Sequence, residues 1–149
     1  MNKRLATAFL TAFLSTSVFA AREQPFSIAI HGGAGTIDKS KFTPEKEAAY
    51  RAKLQEAVEA GYKVLENGGE SLTAVTTAIN ILENSPFFNA GIGAVYTYDG
   101  HHELDASIMD GRTRQAGAVA GVKHIENPIN LARLVMEKSV HVMLSAQGA

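Results

Sequence analysis

Hydrophobic positions along the chain change period several times, and each change marks an element. Phe26-Ser27-Ile28-Ala29-Ile30 alternates bulky and small residues and predicts a strand with one tightly packed face. It runs directly into His31-Gly32-Gly33-Ala34-Gly35, where glycine lets the backbone turn sharply or approach a neighbour closely. Thr43-Pro44-Glu45 then reads as a helix start, with Thr43 as cap and Pro44 in the first turn. Tyr50, Leu54, Ala57, Val58, Gly61 and Leu65 fall on one face of that helix, and the small Ala57 and Gly61 predict close approach to a sheet. Asn67-Gly68-Gly69 ends it. Ser71 is placed to cap a second helix with the stripe Leu72, Val75, Ile79 and Leu82. Thr73, Thr76 and Thr77 favour helix weakly, so burial must hold this one in place.

Next comes Leu82-Glu83-Asn84-Ser85-Pro86-Phe87-Phe88-Asn89-Ala90-Gly91-Ile92-Gly93, too apolar for an ordinary solvated loop. It predicts a compact buried turn whose backbone polar groups need unusual partners. Two readings stand at this point. The segment is a tight connector capped by the phenylalanines, or its carbonyl oxygens converge on a cation or another chain segment. Beyond it, Ala94–Tyr98 predicts a strand, Asp99-Gly100 a hairpin turn, and His102–Met109 the returning strand. After the turn at Asp110-Gly111, Gln115–Val122 is a strand of almost only small side chains, which requires neighbours packed very close. Asn127-Pro128 opens a third helix with Ile129, Ala132, Val135 and Met136 inward, and Val140–Leu144 predicts a last strand. Ser145–Ala149 then stops without a helix, as though mid-domain. This order suits an antiparallel meander plus a further strand, covered by helices on one face.

Composition narrows the field. The chain has 149 residues, 46% of them hydrophobic, with net charge −1 and no cysteine. That is one domain or part of one, with no basic stripe for nucleic acid. Residues 1–20 read as a signal peptide. Lys3 and Arg4 form the basic region, Leu5 to Phe19 is an apolar run short for a membrane span, and Val18-Phe19-Ala20 gives a cleavage pattern ending at Ala20. Export to a periplasm follows if the host is Gram-negative, with no membrane attachment after cleavage. Without cysteine no disulfide holds the fold, and packing must.

Candidate chemistry is incomplete. The glycine loop lacks an immediately following helix and a Gly-Lys-Ser/Thr, so it is no phosphate loop. His101, Glu103 and Asp105 share a strand face, but no HExxH and no cysteine accompanies them. There is no G-x-S-x-G and no thiolate. A threonine nucleophile activated by its own freed amine is the class that remains. Gly35-Thr36 is a poor candidate for it, because no strand follows to hold the hydroxyl.

LENSPFFNAGIGAVY, with His31-Gly32-Gly33-Ala34-Gly35 upstream and Glu103-Leu104-Asp105-Ala106-Ser107-Ile108-Met109-Asp110-Gly111 downstream, resembles the plant-type asparaginase/isoaspartyl peptidase family of N-terminal nucleophile (Ntn) hydrolases. The resemblance implies an α+β fold that is the N-terminal part of an αββα sandwich, incomplete in this chain. It implies a precursor roughly twice this length that cleaves itself before a threonine in a Gly-Thr-Val-Gly-like motif absent from this sequence. Residues 21–149 would be its α-subunit part, partnered by the missing C-terminal β part, with two such α/β units forming a homodimer. The substrates implied are small molecules, β-aspartyl dipeptides and L-asparagine. The nucleophile and the groups holding the substrate would lie elsewhere, and this chain alone is expected to be inactive. The resemblance further implies a structural sodium ion on the main-chain carbonyls of Leu82, Glu83, Ser85, Phe88, Ala90 and Ile92. It sets Asn89 beside the nucleophile (a turn asparagine is the plainer reading) and His31, Gly32 and Gly33 near the self-cleavage site. No catalytic cofactor is implied. A glycosylasparaginase-like amidase, or a non-catalytic periplasmic domain for a small ligand, are the alternatives.

Overall fold

The computed structural model describes residues 25–33 and 42–149. The expected signal peptide, Ala34, Gly35 and Thr36 lie outside the described residues. Helices α1 (Pro44–Glu66) and α2 (Ser71–Glu83) form a hairpin. Strands β1 (Leu104–Met109), β2 (Ala116–Val122) and β3 (Met143–Ser145) form a sheet in that order, and α3 (Pro128–Lys138) packs on it between β2 and β3. The class is α+β, as expected. β1 and β2 run antiparallel, whereas β3 runs parallel to β2 after the α3 crossover.

Local chemistry explains most boundaries. The Lys46 N–H donates to Thr43 Oγ1 (3.2 Å), and Pro44 opens α1. At its other end the N–H groups of Gly68 and Gly69 reach back to the carbonyls of Leu65 (2.9 Å) and Val64 (2.8 Å). The core is Ile108, Val119, Val122, Ile129, Ala132, Val135 and Met136, so the inward face of α3 is the one the periodicity predicts. The small-residue strand has its reason in Gly117. A Cβ there would overlap the Ala132 carbonyl and stand 2.6 Å from the Met136 nitrogen, so α3 lies directly on the β2 backbone.

Several expectations need correction. Phe26–Ile30 is not a ladder strand. It lies along α1, with Phe26 against Tyr62 (ring centroids 5.1 Å) and Ile28 against Gly61. Alternation describes an extended segment, but a strand also needs a neighbour, and the described sheet is on α3 instead. Ala57 and Gly61 therefore admit α2 and Ile28 rather than a sheet; a Cβ on Gly61 would stand 2.9 Å from the Ala74 carbonyl. Ala94–Tyr98 is likewise no strand. The turn at Asp99-Gly100 forms, closed by the Thr97 N–H on the His101 carbonyl (2.7 Å), but Val95 and Tyr96 stay exposed and no ladder extends from it. β1 consequently begins at Leu104, not His102. The last strand is shorter and later than Val140–Leu144, with Val140 and Val142 exposed, and a 3-10 turn at Ala146–Gly148 follows it. Glu70 rather than Ser71 stands at the α2 cap position, with no side-chain cap bond. In α2 the half-buried stripe Leu72, Val75 and Ile79 faces the core, while Ala74 and Ala78 are buried toward α1. Thr76 is buried, its hydroxyl donating to the Leu72 carbonyl (2.9 Å).

Candidate functional site

The segment from Leu82 to Gly93 leaves the C-terminus of α2, turns through Pro86 and ends in a 3-10 turn at Gly91–Gly93. It is anchored by aromatic packing. Phe87 and Phe88 lie 4.9 Å and 5.7 Å from Tyr50 of α1, and Phe42 lies 5.2 Å from the same ring. Ser85 and Phe88 are buried, and Ser85 Oγ accepts from the Phe87 N–H (3.3 Å). The apolar loop is thus a packed part of the α1–α2 unit.

Its carbonyls are directed inward around two glycines. A Cβ on Gly91 (φ +51°) would overlap the Glu83 carbonyl oxygen. One on Gly93 would overlap that of Phe88 and stand 2.7 Å from that of Ser85. The Glu83 carbonyl is therefore packed on Gly91 and those of Ser85 and Phe88 on Gly93, and the Phe88 carbonyl also accepts from the Ala90 N–H (2.8 Å). The Leu82 and Ala90 carbonyls accept from Ser85 N–H (3.2 Å) and Gly93 N–H (3.0 Å), while Ile92 is exposed on the turn. Among the described residues no group of three or more His, Asp or Glu side chains is placed to hold a metal. Glu103 instead pairs with Lys123 (2.9 Å), and Asp105 accepts from the Gly121 N–H (2.8 Å).

Asn89 sits on the exposed side of the loop, where its Oδ1 accepts from the Val95 N–H (2.9 Å). It is a turn asparagine in this respect, with its amide nitrogen remaining as a donor. The His31 Nδ1 accepts from the Gly33 N–H (3.2 Å), closing a tight turn. Gly32 brings this turn onto the loop: a Cβ there would stand 3.1 Å from Leu54 Cδ2 and 3.7 Å from Phe88 Cε1. The two segments singled out in the sequence meet at that point.

The side chain of Glu83 plays a part the sequence reading did not give it. It is buried at 2% exposure, and Oε1 accepts from the Ile129 N–H (3.0 Å) at the start of α3. Oε2 accepts from Asn127 Nδ2 (3.1 Å), which also donates to Asn84 Oδ1 (3.0 Å). The cap of α3 therefore comes from α2, and Asn127 does not cap it itself. One signal did point here. A glutamate in the last turn of a helix opposes the macrodipole, so its position calls for a tertiary partner.

Burial pushes the Glu83 carboxyl above its ordinary value of 4.5, against the lowering pull of the Ile129 N–H and Asn127. A pKa raised on folding gives stability that is full below 4.5 and lost as pH rises through the folded value. Glu83→Gln removes that titration, so unfolding midpoints across this window should flatten relative to the parent. An unchanged slope would assign the dependence to another group.

The pattern of the asparaginase family matches residues 23–149. The chain is 57% identical over 122 residues to the isoaspartyl peptidase of Salmonella typhimurium, covering 82% of this chain and 39% of that protein. It is 55% identical to the isoaspartyl peptidase of Escherichia coli, covering 82% and 38%. Against the plant-type L-asparaginase of Pyrococcus abyssi it is 51% identical over 123 residues, covering 83% and 39%. The chain thus spans about two fifths of the length of these curated relatives. With its glycine turn seated on the carbonyl-lined loop, and the family's pattern running from residue 23 to Ala149, this chain belongs to the asparaginase family that includes isoaspartyl peptidases and plant-type L-asparaginases.

Proposed function

We propose that this chain is the N-terminal part of a precursor that cleaves itself before a threonine and then hydrolyses β-aspartyl dipeptides and the side-chain amide of L-asparagine. The observation that carries the reading is the match of the asparaginase family's pattern to residues 23–149. The names of its relatives support the substrate class. In the complete protein the freed amine, titrating near ~8, takes the threonine proton. The hydroxyl oxygen attacks the β-carbonyl carbon, and the amine or ammonia leaves with that proton. Water then opens the β-aspartyl ester and restores the hydroxyl. Asn89 contributes an amide donor to orient a hydroxyl or water, its Oδ1 already fixed by Val95.

Sodium fits the loop as a structural ion. The carbonyls of Glu83, Ser85 and Phe88 lie against Gly91 and Gly93, and oxygen donors of this kind suit a hard cation. Leu82, Ala90 and Ile92 would complete the set. Such an ion would supply fixed positive charge to these carbonyl oxygens.

The complete protein, expressed in a Gram-negative host, should be recovered from the periplasm as two pieces, the first beginning at Ala21. It should release leucine from β-aspartyl-leucine. An uncleaved chain that still hydrolyses the dipeptide would overturn the self-cleaving threonine. At matched ionic strength, replacing sodium by potassium or choline should lower the thermal midpoint, since a ligand bound only to the folded state stabilises it. Pro86→Gly should weaken that difference by loosening the turn. Equal midpoints in all salts would remove the sodium.

A further inference from the structure

The Glu83 residue has two ends, and each is committed to a different part of the fold. Its main-chain carbonyl faces Gly91 inside the loop. Its carboxylate, 2% exposed, accepts from the Ile129 N–H (3.0 Å) and Asn127 Nδ2 (3.1 Å) at the start of α3. We infer that the Glu83 carboxylate is the positioning group of the carbonyl loop: by clamping the start of α3 it fixes the direction of its own carbonyl, and with it the cation affinity of the loop. The inference rests on the cation reading above, and it adds a residue whose side chain touches no ion.

Three observations carry it. Both carboxylate oxygens are occupied by donors from one place, the start of α3, so the side chain has one orientation. Asn127 extends the clamp to Asn84, the first residue after the helix, through a bond to Asn84 Oδ1 (3.0 Å). Finally, α3 is itself immobilised, with Ile129 and Ala132 fully buried and Gly117 of β2 in backbone contact with it. The carbonyl at 83 is thereby referred to the sheet. Outer partners that orient a ligand typically change affinity by roughly 10–100-fold when lost.

The test is a sodium titration of the thermal midpoint in the complete protein, at constant ionic strength with choline. Glu83→Gln keeps an acceptor for the Ile129 N–H but sets an amide against the Asn127 amide. It should raise the sodium concentration at half effect by roughly tenfold or more. Adding Asn127→Asp reverses the polarity of that contact, with the Asn84 amide turned to donate, and should bring the half-effect concentration back to within about threefold, as a double-mutant cycle requires of a direct pair. Thr43→Ala, which removes the cap of α1, should lower every midpoint without moving the half-effect concentration. If Glu83→Gln behaves as Thr43→Ala does, the carboxylate is merely structural and the inference fails. If Glu83→Gln does not fold, Asn127→Ala, which removes one of the two bonds, should move the half-effect in the same direction; an unmoved value again overturns it. Should the parent show no sodium response at all, the cation reading fails separately. Hydrogen exchange at the Gly93 and Ala94 amides then decides the clamp, which requires faster exchange in Glu83→Gln than in the parent while the α1 amides stay unchanged.

Discussion

Gly91→Ala and Gly93→Ala will each cost the complete protein several kcal/mol and most of its soluble yield. At Gly91 the backbone holds φ +51°, which costs a residue with a Cβ about 1–2 kcal/mol by itself. The new methyl would also overlap the Glu83 carbonyl, lying 2.7 Å from its carbon and 2.8 Å from the Glu83 Cβ. These are backbone atoms or atoms next to backbone, on a residue bound at both ends, so nothing swings aside. Gly93 has an ordinary φ but the same crowding, from the Phe88 and Ser85 carbonyls. Overpacking of this kind adds about 1–3 kcal/mol, against a total stability of roughly 5–15 kcal/mol. Gly100→Ala is the internal control. It has φ +75° with nothing within 4 Å, so it carries the backbone strain and no clash. Urea unfolding that finds Gly91→Ala no worse than Gly100→Ala would show that the loop relaxes and the carbonyls are not held.

Residues 21–149 produced alone should show no hydrolysis of β-aspartyl-leucine or asparagine. No Gly-Thr-Val-Gly segment occurs in this sequence, and the two relatives named isoaspartyl peptidase extend well beyond the part it matches. Loss of a covalent nucleophile costs on the order of 10⁶ in rate. The isolated chain should also bind hydrophobic dyes and aggregate. Tyr98 and Val140 are almost wholly exposed, Tyr96 and Val142 largely so, and Met109 and Met143 project from the sheet. Activity above background in the purified piece would mean that a site within these residues carries the chemistry unaided.

The helices and the core face of α3 were legible because both follow from repeating local chemistry. A proline after a threonine, glycines after the last turn, and apolar residues at Ile129, Ala132, Val135 and Met136 each state their role within a few positions. The small-residue strand was legible too, since only close backbone contact makes use of Gly117. Strand boundaries were less so. Phe26–Ile30 and Ala94–Tyr98 have strand composition, but a ladder depends on what lies alongside, and alternation does not encode a neighbour. The apolar loop was recognisable as packed rather than fully solvated: Ser85 and Phe88 are buried in it, while Asn84, Pro86, Asn89 and Ile92 stay exposed. The Thr43 cap formed as expected, whereas those of α2 and α3 did not. Ser71 is already the first residue of α2, and Asn127 gives its amide to Glu83 and Asn84, so the cap of α3 arrives from another helix.

That borrowed cap bears on the order in which the chain assembles. Thr43 caps α1 from three residues away, so the start of α1 can form as soon as its own first turn is made. The bond from Ile129 to Glu83 spans 46 residues and does not exist until α2, the loop and α3 have met. Loss of the Glu83 carboxylate should accordingly speed unfolding more than it slows refolding, which the two arms of a stopped-flow chevron read directly. During synthesis α3 can dock only after the helical hairpin has been made, and the bond at the Glu83 carboxylate records that docking has taken place.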